Sequence, residues 1–557
     1  MLAVGNGWWS ADVPAAEADR GYGFILDGKG PFPDPRSPWQ PGGVHGLSHP
    51  FDHKNFRWTD VGWQAPPLSS AVIYELHIGT FTPGGTFEAA IEKLDHLTAL
   101  GVTHVELMPV AEFDGTRGWG YDGVDLFAPH HAYGEPDKLK KLVNACHARR
   151  LAVILDVVYN HLGPTGNYLS NFAPYFSPRY STPWGMALNY DGPDNREVRR
   201  FFCDNALMWL RDYHFDGLRL DAVHAIFDFS AQPFLEQLAM EVKSLSAHLG
   251  RHLILIPESD LNDPRLLWPR ERGGFGLDAQ WSDDFHHALH TVLTGETNGY
   301  YADFGTLDDL AKALRQAYVY DGRFSRQRCR PHGRPPDGLN GHRFLAYLQN
   351  HDQVGNRADG RRSSQLMSAG ILKTAAAIVL TSPYVPMLFQ GEEWGATTPF
   401  FYFTDYSEPK LANAVRKGRC REFAAFGWKP GDTADPQEPK TFERSKLNWA
   451  ECSLSPHAGL LDWHRRLIQL RRTWPVLTDG CLNSVRVRHD ERWLTIERGP
   501  LTVACNLSAA PQKAPLPTGK CQILLASTSG IEIGGNHVSL APESVAILKS
   551  ENGDYSA

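Results

Sequence analysis

Four stretches of this chain place ionisable side chains where an apolar run stops. Asp156-Val-Val-Tyr-Asn160-His161 closes LAVILDVVYNH, and Arg219-Leu220-Asp221 closes FDGLRLDAV, with His224 just beyond it. HLILIPES ends in Glu258, and FLAYLQNHD ends in Asn350-His351-Asp352. One charged residue at a strand end means little. Four such ends carrying Asp156, Asp221, Glu258 and Asp352 suit the cleavage of an acetal, which needs a proton for the leaving oxygen and a carboxylate opposite it for the cationic carbon. Arg219 and Asp221 lie two apart and share a strand face, so the guanidinium favours ionised Asp221 and makes it the better nucleophile candidate. Leu253 to Pro257 surround the approach to Glu258 with apolar atoms, and the resulting desolvation helps an acid keep its proton. Asp352 is the third carboxylate, expected to hold the sugar through its hydroxyls.

The elements that must position these groups alternate between β-rich runs and helical periods. The β runs are 71–78, 102–110, 151–161, 215–223, 252–259, 277–283, 344–352 and 385–393. Between the first two, Phe87, Ile91, Leu94, Leu97 and Leu100 recur at helical spacing up to Gly101. Helices are also expected near 136–149, 196–212 and 232–249. Eight runs of this kind predict an α/β fold, a (β/α)8 TIM barrel whose strand ends converge on one face. Residues 1–66 are rich in Gly, Pro and Trp and read as a partial N-terminal β-sandwich. Residues 67–475 hold the barrel with inserted loops, and 476–557 read as a C-terminal antiparallel β-sandwich.

Composition excludes several classes of function. A formal charge of −8 without basic clusters speaks against nucleic acid. The longest apolar stretch, at 374–389, is broken by Pro383 and Pro386 and is too short to span a bilayer. Residues 1–14 lack the basic and apolar regions of a signal peptide. Eight scattered cysteines fit neither a zinc site nor a disulfide framework, so a cytoplasmic protein with reduced thiols is expected. Sixteen Trp residues fill cores in the plainer reading and are compatible with sugar stacking.

DVVYNH, GLRLDAVH, the Glu of PESDLN and QNHDQVGN resemble, in order, the four conserved regions of the α-amylase clan. The resemblance implies Asp221 as nucleophile, Glu258 as acid/base and Asp352 as transition-state stabiliser. It also implies that Arg219, His161 and His351 touch the sugar at the cleavage subsite, where Tyr121 of RGWGYDGV stacks on the ring. His224 joins them as a substrate contact. Over nearly its whole length the chain is similar to maltooligosyltrehalose trehalohydrolases, including LMPVAEFDGTRGWGYDGV, QWSDDFHHALHTVLTGE, FQGEEWGATTPFFYFTDYSEP and the stretch 422–449. The implied reaction cuts the α-1,4 bond beside the terminal trehalose of maltooligosyl trehalose, in functional coupling with a maltooligosyltrehalose synthase. A glucan branching enzyme and a non-catalytic amylase-fold binding protein are the alternatives.

Asp283 and Glu393 lie in segments characteristic of this subfamily and are candidates for recognising the leaving disaccharide. A helix N-cap is the competing reading for Asp283 and Asp284. Adjacent helical residues diverge, so the His286-His287 pair does not read as a metal site. Asn160 matches a position that binds calcium in some amylases, but no acidic loop partners it, and neither a metal nor a cofactor is expected. The β-segment of 1–66 resembles the second half of the longer N-terminal domain usual in the subfamily.

Overall fold

In a computed structural model, the described residues are 1–5, 7–13, 20–425, 433–551. Residues 426–432 of the 422–449 stretch lie outside them, as do residues 6 and 14–19 of the 1–66 segment. Eight parallel strands form the barrel: β1 (Ile73–Leu76), β2 (His104–Leu107), β3 (Ala152–Val157), β4 (Gly217–Leu220), β5 (Ile254–Pro257), β6 (Gln280–Trp281), β7 (Phe344–Ala346) and β8 (Val385–Phe389). Their ladder runs β5-β4-β3-β2-β1-β8-β7-β6. Strand β6 is only two residues long, and two bonds close the seam between β5 and β6. Leu255 N donates to the Asp278 carboxylate (2.8 Å), and Asp278 N donates to Leu255 O (3.0 Å).

Period-two alternation sorts the strand residues. Outward-facing Tyr74, Leu76, Val105, Val153, Leu155, Leu218 and Leu255 join the large core shared with the helices. Inward-facing Ile73, Ile154, Ile254, Ile256, Ala279, Leu345, Val385 and Met387 form a separate apolar plug. Glu75, Glu106, Asp156 and Arg219 are buried on the same strands. In register, Glu75 pairs with Glu106, and Arg219 sits between Asp156 and Ile256. The barrel interior is therefore apolar below and ionic toward the C-terminal strand ends, where barrel active sites are built.

The helices follow the apolar periods. Pro136–Ala148, Asn195–Asp212 and Phe234–Leu249 lie close to expectation. The period at 87–100 is broken into Phe87–Ile91 and Leu94–Leu100, and Gly101 ends it in the left-handed conformation (φ 97°). Beyond the helix His457–Thr473, a five-stranded antiparallel sheet (Arg486–His489, Trp493–Arg498, Leu501–Asn506, Ser544–Ser550, Cys521–Ala526) faces a three-stranded one (Gln512–Pro515, His537–Leu540, Glu532–Gly534). Ala504, Ala514, Val538, Leu540, Ala546 and Leu548 pack between them. At the other end, Leu2–Gly5 pairs with Trp8–Ser10 and Phe24–Leu26 with Lys29–Phe32.

Candidate active site

Arg219 is the hub. Its side chain is fully buried over the Trp281 ring, 4.3 Å from the centroid. Nη1 donates to both oxygens of Asp156 (2.9 and 2.8 Å) and to Asp221 Oδ1 (2.8 Å), while Nη2 lies 3.0 Å from Glu258 Oε2. Two carboxylates on neighbouring nitrogens of one guanidinium cannot lie far apart. That is the arrangement a retaining mechanism needs, with its carboxyl spacing of about 5–5.5 Å.

The two carboxylates have different further partners. Asn160 Nδ2 donates to Asp221 Oδ2 and to its carbonyl, both at 2.7 Å. Burial opposes ionisation of Asp221, but Arg219, then His161 and Asn160, hold it below the usual carboxylate range. Glu258 accepts one backbone bond, from Ala222 N at 2.7 Å. Burial pushes Glu258 up; Arg219 works against this, and the charges of Asp221 and Asp352 add to it. Ala222 reaches Glu258 from a left-handed backbone (φ 37°, ψ 51°), which costs a non-glycine residue about 1–3 kcal/mol.

Tyr121, His161 and His351 complete the floor. The Tyr121 hydroxyl donates to Asp156 Oδ2 (2.6 Å), lies 2.8 Å from His351 Nε2, and its ring stacks on His351 at 5.1 Å. Gly120 permits this placement: its φ is 97°, and a Cβ there would fall 2.1 Å from Pro109 O. His161 contacts Tyr121 O through Nε2 (3.0 Å) and Asn160 through Nδ1. Glu75 grips His351 twice, accepting its backbone N–H (3.1 Å) and contacting Nδ1 at 2.5 Å. Burial opposes the charged ring, but Asp352 and Glu75 raise His351 to about 9. Asp352 stands in the first turn of His351–Gly355 with its side chain 41% exposed. A capping box aims that turn: Asn350 accepts from Asp352 N and Gln353 N, and Gln353 returns a bond to Asn350 N.

Of the further candidates, Asp283 joins the site. Tyr347 Oη donates to it at 2.6 Å, and burial followed by the charge of Glu258 raises it to about 8. Neither Asp283 nor Asp284 is the N-cap; Ser282 caps this helix, and Asp284 is tied to Val319 N, Tyr320 N and Asn262. His224 sits on the turn after β4 with 30% of its side chain exposed. Glu393 is a correction. Its fully buried carboxylate accepts from outward-facing Tyr74 (3.1 and 3.2 Å) and contacts His96 (2.8 Å), so it braces the barrel wall and does not reach the site. Trp281 floors the site, whereas Trp394 is core. His286 is engaged by Leu348 O and Tyr301 Oη, and Asn160 is committed to Asp221.

Two residues were missed from the sequence. Glu75 sits inside the apolar run AVIYELHI, and only its register beside Glu106 signals an inward carboxylate. Trp184 precedes Gly185–Leu188 and stacks on His161 (4.5 Å, 8°) while 50% exposed; a Trp in a loop of 170–190 gives no periodic signal.

A barrel whose strand ends bring Asp221 and Glu258 onto one buried arginine, with Asp352 at a further strand end, is the framework of an α-amylase-type glycoside hydrolase. The family description "Alpha amylase, catalytic domain" matches residues 51–179, and a domain of unknown function, DUF3459, matches 482–547. Malto-oligosyltrehalose trehalohydrolase from Arthrobacter ramosus is 50% identical over 98% of this chain and 94% of its own length. The Mycobacterium tuberculosis protein of that name is 51% identical, covering 99% and 95%. A crystal structure titled as a putative alpha amylase from Salmonella typhimurium superposes with a TM-score of 0.90 at 41% identity, over 99% of this chain and 94% of that one. The chain belongs to the malto-oligosyltrehalose trehalohydrolase family.

Proposed function

We propose that this chain hydrolyses the α-1,4 bond beside the terminal trehalose of maltooligosyl trehalose, with retention at the anomeric carbon. The observation that carries the mechanism is the unequal pair on Arg219, with Asp221 pushed below and Glu258 above the usual carboxylate range. Asp221 attacks the anomeric carbon as Glu258 gives its proton to the departing glycosidic oxygen, and trehalose leaves with its α,α-1,1 bond intact. Glu258, now ionised, takes a proton from water, which displaces Asp221 and releases the maltooligosaccharide. Asp352, exposed opposite the pair, holds ring hydroxyls in the distorted geometry. His351, Tyr121, His161 and Arg219 line the cleavage subsite. Asp283 and His224 flank Glu258, the acid that meets the leaving group, which supports them as contacts to the departing trehalose.

The same reading divides the chain into a starch-binding-type β segment (1–66), the catalytic barrel (67–475) and a C-terminal β-sandwich (476–557). All eight cysteines are free thiols, which supports action in the cytoplasm. Among the described residues no helix is long and apolar enough to cross a membrane. The substrate implies coupling to a synthase that isomerises the reducing end of a maltooligosaccharide.

The test is product analysis. Incubation with maltotetraosyl trehalose should yield trehalose and maltotetraose, with slow attack on maltohexaose. Branched or elongated glucans without trehalose would reassign the protein to a transferase. No turnover of either substrate would favour a binding protein.

A further inference from the structure

Among the described residues, one group of three metal-capable side chains converges outside the catalytic site: Glu112, His130 and His131. Glu112 ends the short strand Ala111–Glu112, and the two histidines follow its antiparallel partner Asp125–Pro129. Glu112 Oε1 lies 2.7 Å from His131 Nδ1 and 3.3 Å from His130 Nδ1, and the three ligand atoms all fall within 4.8 Å of one another. The other Glu112 oxygen accepts the His131 backbone N–H at 2.7 Å, which fixes the carboxylate's orientation. His130 is the unexplained member. Its side chain is fully buried and stacked on Phe113 (3.7 Å, 18°), yet Nε2 has no hydrogen-bond partner and Nδ1 makes no well-formed hydrogen bond, only the long contact with Glu112. Native proteins rarely leave a buried polar group in that state.

We propose that Glu112, His130 and His131 form a binding site for a divalent first-row transition ion, Zn2+ being the best match, with water in the fourth position. Two imidazoles and one carboxylate are an established zinc donor set, and bonds of about 2.0–2.2 Å would place tetrahedral ligands roughly 3.3–3.5 Å apart. The His130–Glu112 pair already has that spacing. The His131–Glu112 pair opens when the ion replaces the proton they share, and that proton leaves to solvent. Access exists, because His131 lines an open surface cavity of about 350 Å3 whose walls carry Glu88 and Glu135. The ion would clamp the base of the loop between the two strands, the loop that presents Trp119 and Tyr121 to the site.

The experiment uses untagged protein, stripped with chelator and titrated with Zn2+ by calorimetry and with Co2+ by visible absorption. The expected result is one tight Zn2+ per chain, four-coordinate Co2+ bands and a higher melting temperature with Zn2+. H131A should weaken Zn2+ at least tenfold and remove the bands in a metal-free protein that circular dichroism shows still folded. H131Q serves if H131A fails to fold, and E112Q checks the carboxylate. Equal Zn2+ affinity in wild type and the His131 variants, or no saturable binding in the wild type, would overturn the proposal.

Discussion

Replacing Glu258 by Gln isolates the proton donor from the rest of the site. The amide keeps the side chain's shape, and its oxygen can still accept from Ala222 N, the 2.7 Å bond that positions the group. What is lost is the proton and, once that proton has been given up, the carboxylate that lies 3.0 Å from Arg219 Nη2. Asp221 keeps its bonds to Nη1 and Asn160, so attack on the anomeric carbon remains possible. General acid catalysis supplies about 10²–10⁴ in rate, or roughly 3–5 kcal/mol at 1.36 kcal/mol per decade, and kcat on maltotetraosyl trehalose should fall by that factor. The loss should depend on the leaving group. Fluoride departs with little protonation, so glycosylation by α-maltosyl fluoride should be nearly unimpaired, with the covalent intermediate accumulating for want of a base. Azide, which needs no base, should then restore turnover and give an α-maltosyl azide.

The pH profile provides a second readout. Wild-type kcat/KM needs Asp221 ionised and Glu258 protonated. Since Asp221 is lowered and Glu258 raised, the bell should be wider than for two ordinary carboxyls, its limbs belonging to the coupled set. In E258Q the alkaline limb assigned to Glu258 should vanish. Equal losses on trehalosyl and fluoride substrates, no azide product, or an unchanged alkaline limb would refute the assignment of Glu258 as the acid.

D221N should abolish turnover while circular dichroism and substrate binding persist; near-normal kcat would exclude Asp221 as nucleophile. E75Q removes the carboxylate that holds His351 through two bonds, and a charge-assisted bond of about 1.5–3 kcal/mol sets an expected fall in kcat of roughly 10- to 150-fold. Because Glu75 helps raise His351, the imidazole resonances in E75Q should titrate at lower pH than in wild type, a shift that loss of packing alone would not give. W184A, which removes a half-exposed platform beside His161, should raise KM about two- to twelvefold with little change in kcat, given roughly 0.5–1.5 kcal/mol per aromatic contact. R471A strips the donor of three buried carbonyls, those of Leu380, Ser382 and Tyr384, and should cost about 3 kcal/mol or more, read as an earlier urea midpoint with no change in KM.

The site was legible where chemistry rides on strand periodicity. Arg219 and Asp221 are two apart, so one strand delivers both, and the position of Glu258 after an apolar run conveyed its desolvation. Glu75 escaped because a single acid inside AVIYELHI looks like any strand residue until its register beside Glu106 is known. Glu393 misled for the opposite reason. The acidic pair in GEEW follows β8 as a catalytic loop would, but Gly391 (φ 81°) turns the chain so that Glu393 points outward to Tyr74 and His96. Glu112 and the two histidines lie 18 and 19 residues apart in sequence, and only the antiparallel pairing of Ala111 with Pro129 brings them together.

The division of labour between Asp221 and Glu258 is decided by groups that never need to touch the scissile bond. One buried guanidinium serves three carboxylates, and the layer beneath it is apolar, so Arg219 cannot keep all three ionised. Asp156 takes two bonds from Arg219 and one from Tyr121, yet burial still raises it to about 7. Glu106, buried without a hydrogen-bond partner, is raised well above its usual range by burial and then by Glu75 and Asp156. Of the two carboxylates that share Arg219 at the strand ends, Asp221 has the further side-chain donor, the Asn160 amide, with the charge of His161 nearby. Glu258 has one backbone N–H and the repulsion of two neighbouring acids. Asn160 and His161 stand on the Asp221 side of Arg219, and that asymmetry favours the proton on Glu258, as the proposed roles require.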